Sequence, residues 1–169
     1  MTDAPVAGPR PDHRPGDLAA EWEAWRERVR ATYEAVAYTC AHRLADPALA
    51  EPVAVQVVAG LIARPQVFRY FGLPYSGRIA KLAEARLAEA AAGELASVCG
   101  WADLSARLDA VPREHRDALV VTCVRGEDDA ALAAARGSDE AAAATARAAM
   151  LAFVRELASP GLAPTVEEE

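Results

Sequence analysis

The sequence of 169 residues contains no asparagine, one lysine (Lys81), three histidines and three cysteines. The cysteines, Cys40, Cys99 and Cys123, form no close pair, and an odd number at wide spacing predicts reduced thiols rather than a disulfide framework. The histidines are scattered among them, without the spacing that metal ligands require. We therefore expect neither a disulfide-stapled fold nor a metal site.

Positive charge and long apolar runs are also scarce. Lys and Arg number 18 against 25 Asp and Glu, which gives a net charge of −7. Because phosphate binding requires clustered cations, this balance argues against nucleic acid as the sole partner. No stretch approaches the ~20 apolar residues of a membrane span, and no signal-peptide core is present. These absences predict a cytoplasmic protein.

Signals of catalysis are missing as well. No paired carboxylates fall on one apolar face, no glycine-rich phosphate loop occurs, and no Cys/His or Ser/His arrangement stands out. Glu114-His115 lies at a predicted helix start, where capping explains it better than chemistry. We expect a protein that is not an enzyme and that uses no cofactor.

The chain does contain helical periodicity, and no segment alternates in the manner of a strand. A first helix is predicted from Asp17 to about Leu44, because its apolar residues recur every three or four positions and leave Glu21 and Arg28 off the stripe. The fold class is therefore all-α. The stripe consists of Trp22, Trp25, Val29, Tyr33, Val36, Cys40 and Leu44.

Proline, glycine and charge divide the chain into five predicted regions. Two small helical units, 17–98 and 104–158, are joined by a hinge at 99–103. A disordered arm (1–16) precedes them, and an acidic tail (159–169) follows. The later helices are predicted at Ala48–Ala63, at Gly77–Val98, at Leu104–Val111, from Pro112 onward, at Glu127–Ala135 and at Ser138–Ala158.

The last two predicted helices, separated by a turn at Gly137, have the outline of a helix-turn-helix. The second helix of such a unit normally carries cations for phosphates and base edges. Here it opens with Asp139 and Glu140, continues with alanines, and residues 101–157 contain seven Arg against ten Asp and Glu. The arrangement of the two helices is typical of a DNA-binding protein, whereas the small number of cations on the second helix is not.

Three stretches, in their order and spacing, resemble bacterial sigma factors of the extracytoplasmic-function type: Arg43–Glu51, Phe71–Ala83 and Leu108–Leu119. The third is similar to the family's L-x-x-L-P-x-x-x-R-x-x-L lead into its last domain. The resemblance covers nearly all of 17–157. It implies a three-helix unit, a four-helix unit ending in a helix-turn-helix, and a role in transcription through core RNA polymerase and promoter DNA, without an active site.

The polymerase-binding residues that this resemblance implies are Glu51 and Gln56. They lie in the helix that clamps the polymerase in the family. Pro52 stands where the family usually has an acid, and Gln56 lies one position later than expected. An ordinary amphipathic core helix is the alternative interpretation of this stretch.

The resemblance also implies nucleic-acid contacts around the promoter-melting helix. Aromatic residues among cations can stack single-stranded bases, at ~1–3 kcal/mol per base, although the same aromatics could simply close the helical core. Glu84 stands where the family has a phosphate-contacting residue, and its charge would repel DNA. The nucleic-acid-binding candidates are Arg69, Tyr70, Phe71, Arg78, Lys81, Arg86 and, on the last helix, Arg147.

The last helix departs furthest from the family. Small and apolar residues fill positions that are usually Lys or Arg, which predicts a surface for another protein or for a second copy. A well-formed, solvated alanine-rich helix is the alternative. The interface candidates are Ala144, Ala146, Leu151 and Phe153.

Together these features predict a sigma-factor-like transcription regulator with weakened DNA reading. It would bind core RNA polymerase, or an anti-sigma or other regulatory protein, and a homodimer is a further arrangement. Promoter DNA is expected to bind weakly if at all. The alternative is a working sigma factor, in which the polymerase supplies the affinity that the acidic surface lacks.

Overall fold

A computed structural model describes residues 15–68 and 77–158, and the side chains of 15, 16, 67, 68 and 78 are also outside this description. Across these residues the chain is all-α, as predicted, with no strand. The predicted arm, apart from 15–16, and the predicted tail lie outside the described residues. The helices are α1 (Pro15–Arg43), α2 (Ala50–Ile62), α3 (Pro65–Phe68), α4 (Gly77–Ala91), α5 (Trp101–Asp109), α6 (Arg113–Leu119), α7 (Asp129–Arg136) and α8 (Glu140–Leu157).

The long helix α1 buries the predicted apolar stripe. Trp22, Trp25, Val29, Val36 and Cys40 are all buried, so steps of three and four residues place one side of the helix in the core. A 3₁₀ turn at Pro47–Leu49 follows, and the Asp46 carboxylate accepts the N–H of Ala48 at 3.0 Å. This Asp-Pro turn separates α1 from α2.

Helix α2 lies at the centre of the fold. Its side chains from Val53 to Ala59 are buried without interruption, and so are Leu61 and Ile62. A helix that is apolar on every side is stable only when other elements surround it. Helices α1, α3, α4 and α5 all contact α2.

Helix α4 ends at Ala91 rather than at the predicted Val98. Gly93 adopts a left-handed conformation (φ 72°), its N–H bonds to the carbonyl of Ala90, and the N–H of Glu94 bonds to the carbonyl of Glu89. This is a Schellman motif, which terminates a helix at a glycine. Residues 94–100 then continue without helical structure to α5.

The predicted hinge at 99–103 includes the first turn of α5. That helix packs on α1 through a parallel ring stack between Tyr33 and Trp101, whose centroids are 4.1 Å apart with an interplanar angle of 5°. Arg26 adds hydrogen bonds to the Ser105 carbonyl (3.0 Å) and to Asp109 (3.1 Å). Buried residues before and after the hinge belong to one hydrophobic cluster, so the predicted division into two units is not confirmed.

Helix α6 continues into a π-helical turn at Val120–Val124. The N–H of Arg125 bonds to the carbonyl of Val120 at 2.9 Å, the i to i+5 spacing that defines such a turn. Both α6 and the π turn contact α1. Their packing covers a side of α1 that the sequence pattern assigned to solvent.

Candidate functional site

A short turn joins helices α7 and α8 in the stretch where the sequence predicts a helix-turn-helix. Asp128 caps α7 by accepting the N–H of Ala131 at 3.0 Å, and Asp139 caps α8 by accepting the N–H of Ala142 at 2.7 Å. Between them, Gly137 has a φ of 65° and completes a second Schellman motif. Capping at both helix starts and a left-handed glycine explain why this sequence forms a tight turn here.

Three buried residues, Ala143, Met150 and Val154, show which side of helix α8 faces the core. The opposite side consists almost wholly of small side chains and carries its charges at the two ends of the helix. We call this side the outer face of α8. Its exposed residues are Glu140, Ala141, Ala142, Thr145, Ala148, Ala149, Ala152, Arg155 and Glu156.

The predicted interface residues of α8 flank its buried side instead of lying on the outer face. Ala144, Ala146, Leu151 and Phe153 are each half-buried. Leu151 and Phe153 pack against the core, and the ring of Phe153 stacks on His115 with centroids 4.6 Å apart. Their assignment to an interface with another protein stays a prediction.

Arg147, the cation predicted to meet DNA, is bound within the fold. Its Nε donates to Asp129 Oδ1 at 2.8 Å, and its Nη2 donates to Oδ2 at 3.2 Å. This two-point ion pair joins α8 to α7 and neutralises the only cation in the middle of α8. Arg155, near the helix end, is the cation that stays exposed on the outer face.

The cations predicted around α4 do not form an exposed cluster among the described residues. Arg69, Tyr70 and Phe71 lie outside the described residues, as does the side chain of Arg78. Lys81 is exposed. Arg86 is half-buried and donates to both carboxylate oxygens of Glu89, at 2.9 and 2.8 Å.

A further ion pair neutralises the acid that was predicted to repel DNA. The side chain of Arg43, at the end of α1, hydrogen-bonds to the carboxylate of Glu84 on α4. These contacts hold the pKa of Glu84 below its usual value, so the group stays ionised beside its partner. The predicted promoter-melting helix therefore carries a compensated charge at this position.

The two predicted polymerase-binding residues make contacts inside the chain. Gln56 is only 6% exposed, and its Nε2 donates to the carbonyl of Ala96 at 2.6 Å. Glu51 is exposed, and its Oε1 accepts the backbone N–H of Trp101 at 2.8 Å. Both side chains thereby hold the 94–100 segment and the start of α5 against α2.

A cleft between α1 and the π turn was not anticipated from the sequence. It has a volume of about 300 Å³, and its walls come from α1, from Pro65 at the start of α3, and from the π turn. Glu21 and Arg28, predicted to lie off the buried stripe, line it and are half-buried. No local sequence pattern predicts this cleft, because the residues of the π turn that cover it lie about one hundred positions after the α1 residues that line it.

At the rim of the cleft, Arg125 reaches across from the end of the π turn to α1. Its Nε lies 3.1 and 2.9 Å from the two carboxylate oxygens of Glu21. Burial raises the pKa of Glu21, with the nearby charges of Asp17 and Glu127 adding to the rise. The ion pair attaches α1 to the end of the π turn.

No protein-family model, curated protein or solved structure matches this chain. The described residues include no group of three or more Asp, Glu, His or Cys side chains that could hold a metal ion. None of the helices within the described ranges is long and apolar enough to cross a lipid bilayer.

Proposed function

We propose that this chain is a cytoplasmic, sigma-factor-like transcription regulator that binds protein and reads DNA only weakly. Its partner would be core RNA polymerase, or an anti-sigma or other regulatory protein. The observation that carries the proposal is the outer face of α8. Helix α8 is the second helix of the predicted helix-turn-helix. Its outer face carries alanines at positions where a DNA-binding helix carries cations.

The electrostatics of the helix-turn-helix support weak DNA binding. Duplex DNA is bound largely through phosphate contacts, and each missing contact removes salt-dependent affinity. Arg147 is held by Asp129, while Asp139 and Glu140 place negative charge at the start of α8. A phosphate approaching this end would meet like charge before it met Arg155.

The same outer face suits contact with another helix. Ala141, Thr145, Ala148 and Ala152 follow one another at steps of three and four and are all exposed, so they form a narrow row of small side chains. Small side chains allow a partner helix to approach closely, and burying methyl groups contributes about 25 cal/mol per Å² of apolar area. Helix-on-helix docking therefore fits this surface better than a phosphate backbone does.

Binding by the full-length chain tests the proposal. Core RNA polymerase and candidate anti-sigma proteins from the source organism should be titrated against the immobilised chain at micromolar concentration. We expect at least one of them to be retained, and the double variant Ala148→Arg/Ala152→Arg to weaken that binding about tenfold or more by inserting two large charged side chains. The matched control is Ala102→Arg/Ala106→Arg, which has the same spacing on the exposed side of α5.

Two results would overturn this assignment. If neither class of partner is retained, the chain is not a regulator of this kind. If the chain instead directs core polymerase to initiate at specific promoters, and Lys81→Ala abolishes that activity, the alternative of a working sigma factor is correct. Equal loss of binding in the control variant would show that α8 is not the contact surface.

A further inference from the structure

The ion pair between α7 and α8 joins the first turn of one helix to the middle of the other. Asp129 is the first residue of α7, and both oxygens of its carboxylate accept hydrogen bonds from Arg147, at 2.8 and 3.2 Å. Along α8, Arg147 is the only cation before Arg155 near the helix end. The pair therefore takes up the one guanidinium in the middle of the second helix of the predicted helix-turn-helix.

Two positively charged features meet where this carboxylate lies. The N-terminus of a helix carries unpaired N–H groups and the positive end of the helix dipole, and both attract anions. Helix α7 has eight residues, and the guanidinium of Arg147 lies beside its first residue. A planar guanidinium binds carboxylate and phosphate oxygens with the same two-point geometry. Asp129 thus occupies the position that a phosphate group would take.

The charges around this position are mainly acidic. Asp128 stands next to Asp129 and accepts a backbone N–H of α7 at 3.0 Å, so two carboxylates lie beside the guanidinium of Arg147. The next charged residues along the two helices and at their ends are Glu127, Arg136, Asp139 and Glu140. Three of these four are acids. A phosphate that approaches Arg147 therefore meets net negative charge while Asp129 is in place.

The pair is accessible to an outside anion. The side chains of Arg147 and Asp129 keep 40% and 30% of their surface exposed to solvent. Ion pairs at such exposure contribute little net stability, because water solvates each partner almost as well as the other partner does. The fold therefore tolerates the loss of this contact, and the guanidinium that it releases can reach solvent.

We propose that Asp129 is an internal substitute for a DNA phosphate, and that its contact with Arg147 suppresses DNA binding by this chain. The ligand of the unmasked site is the phosphate backbone of duplex DNA, which Arg147 binds beside the N-terminus of α7. The inference rests on the proposed function, since it gives a cause for weak DNA reading and assigns that cause to one ion pair. An event that draws Asp129 away from Arg147 would raise the affinity for DNA.

DNA binding by full-length variants tests this masking. The variant Asp129→Asn keeps the shape of the side chain and removes its charge. At low ionic strength we expect it to bind a fluorescently labelled random duplex about fivefold more tightly than the natural chain does, through one additional phosphate contact. The slope of log affinity against log salt concentration should become more negative by about 0.9. Fluorescence anisotropy measures both quantities.

Two matched variants separate a released guanidinium from a change in net charge. Asp103→Asn removes an acid from the first turn of α5, as Asp129→Asn does in α7, and should leave the DNA affinity nearly unchanged. The double variant Asp129→Asn/Arg147→Gln loses one acid and one cation, so it has the net charge of the natural chain. We expect it to lose the whole gain in affinity.

The thermal unfolding midpoint of each variant shows that it is folded before binding is compared. An equal gain in Asp103→Asn would assign the effect to net charge and overturn the masking, and so would a gain that survives in the double variant. No measurable gain in folded Asp129→Asn would overturn it as well. Because these assays contain no protein partner, the masking can fail while polymerase or an anti-sigma protein is retained, and failure of the proposed function is recognised separately from the loss of that retention.

Discussion

The carboxylate of Glu51 on α2 accepts the backbone N–H of Trp101, the first residue of α5, at 2.8 Å. The residue that caps α5 is Gly100, which has no side chain to supply this bond. A Cβ at Gly100 would come within 3.2 Å of the same carboxylate oxygen. A residue 50 positions away therefore performs the capping that Ser, Thr, Asp or Asn performs at most helix starts.

Loss of this distant cap should destabilise the fold. We expect Glu51→Ala to lower the free energy of unfolding by about 1 kcal/mol, since it removes both the hydrogen bond and a negative charge at a helix N-terminus. Glu51→Gln should cost less, because its amide oxygen can still accept the bond. Urea unfolding followed by circular dichroism measures both changes. Glu23→Ala, an exposed position on α1, is the control, and an equal loss there would contradict the capping role.

Gln56 should contribute to the stability of the fold rather than contact polymerase. Gln56→Ala leaves the carbonyl of Ala96 without this donor in a part-buried site, which costs about 1–3 kcal/mol. Gln66→Ala changes the same side chain at an exposed position of α3 and should cost less than about 0.5 kcal/mol. Denaturant unfolding compares the two. If the two variants unfold alike, the bond to Ala96 contributes nothing to the fold.

The buried face of α1 was predictable because a three- and four-residue repeat of large apolar side chains has one helical solution. The burial of Gln56 was also open to prediction, since apolar residues surround it on all sides of α2. Its partner, the carbonyl of Ala96, was not, because the end of α4 at Gly93 decides where that segment runs. The resemblance to sigma factors instead predicts that Gln56 contacts a polymerase.

One feature of the candidate sites lay beyond local sequence patterns, and a second was only weakly indicated by them. Glu21 and Arg28 are half-buried because α6 and the π turn, far along the chain, pack beside them. In α8, alanines on every side provide no hydrophobic contrast, so only Met150 and Val154 indicate the phase of the helix. Reading the phase from those two residues would have placed Ala143 inside and Ala148 outside.

Alkaline pH should destabilise the fold through Tyr33. Burial, with a smaller effect from the charge of Glu51, raises the pKa of Tyr33 to about 12 from its ordinary 10.0. The unfolded chain then loses this proton first, so stability is complete below pH 10 and falls as the pH rises from about 10 to 12. Urea unfolding at a series of pH values should show this decline.

The variant Tyr33→Phe should flatten the decline between these pH values, because the titrating hydroxyl is gone while the ring can still stack on Trp101. Tyr38→Phe is the matched control, since Tyr38 lies on the same helix and is 69% exposed. The tyrosinate absorbance of the folded protein at pH 11 should change little when Tyr33 is replaced, because its hydroxyl keeps its proton there. A large fall in that absorbance would show that Tyr33 is not the protected group.

Adding cations to the outer face of α8 should give this helix the ability to bind DNA. The triple variant Ala141→Arg/Thr145→Arg/Ala148→Arg places three guanidinium groups along one exposed row, at steps of four and three residues. Each phosphate contact contributes a slope of about −0.9 to the plot of log affinity against log salt concentration. We expect the variant to bind a random duplex with a slope approaching about −3, measured by fluorescence anisotropy between low and physiological salt. The natural chain should bind with a much weaker salt dependence.

A charge-matched control separates the effect of this face from that of net charge. Ala102→Arg/Ala106→Arg/Ala110→Arg adds the same three charges to exposed positions of α5 and its C-terminal end. If DNA binding appears only in the α8 variant, the helix-turn-helix keeps the shape of a DNA reader and lacks only its cations. If both variants bind alike, the gain comes from net charge alone, and the outline of α7 and α8 is no evidence of a DNA-reading ancestor. Since Arg147 stays bound to Asp129 in either variant, the existing ion pair does not enter the comparison.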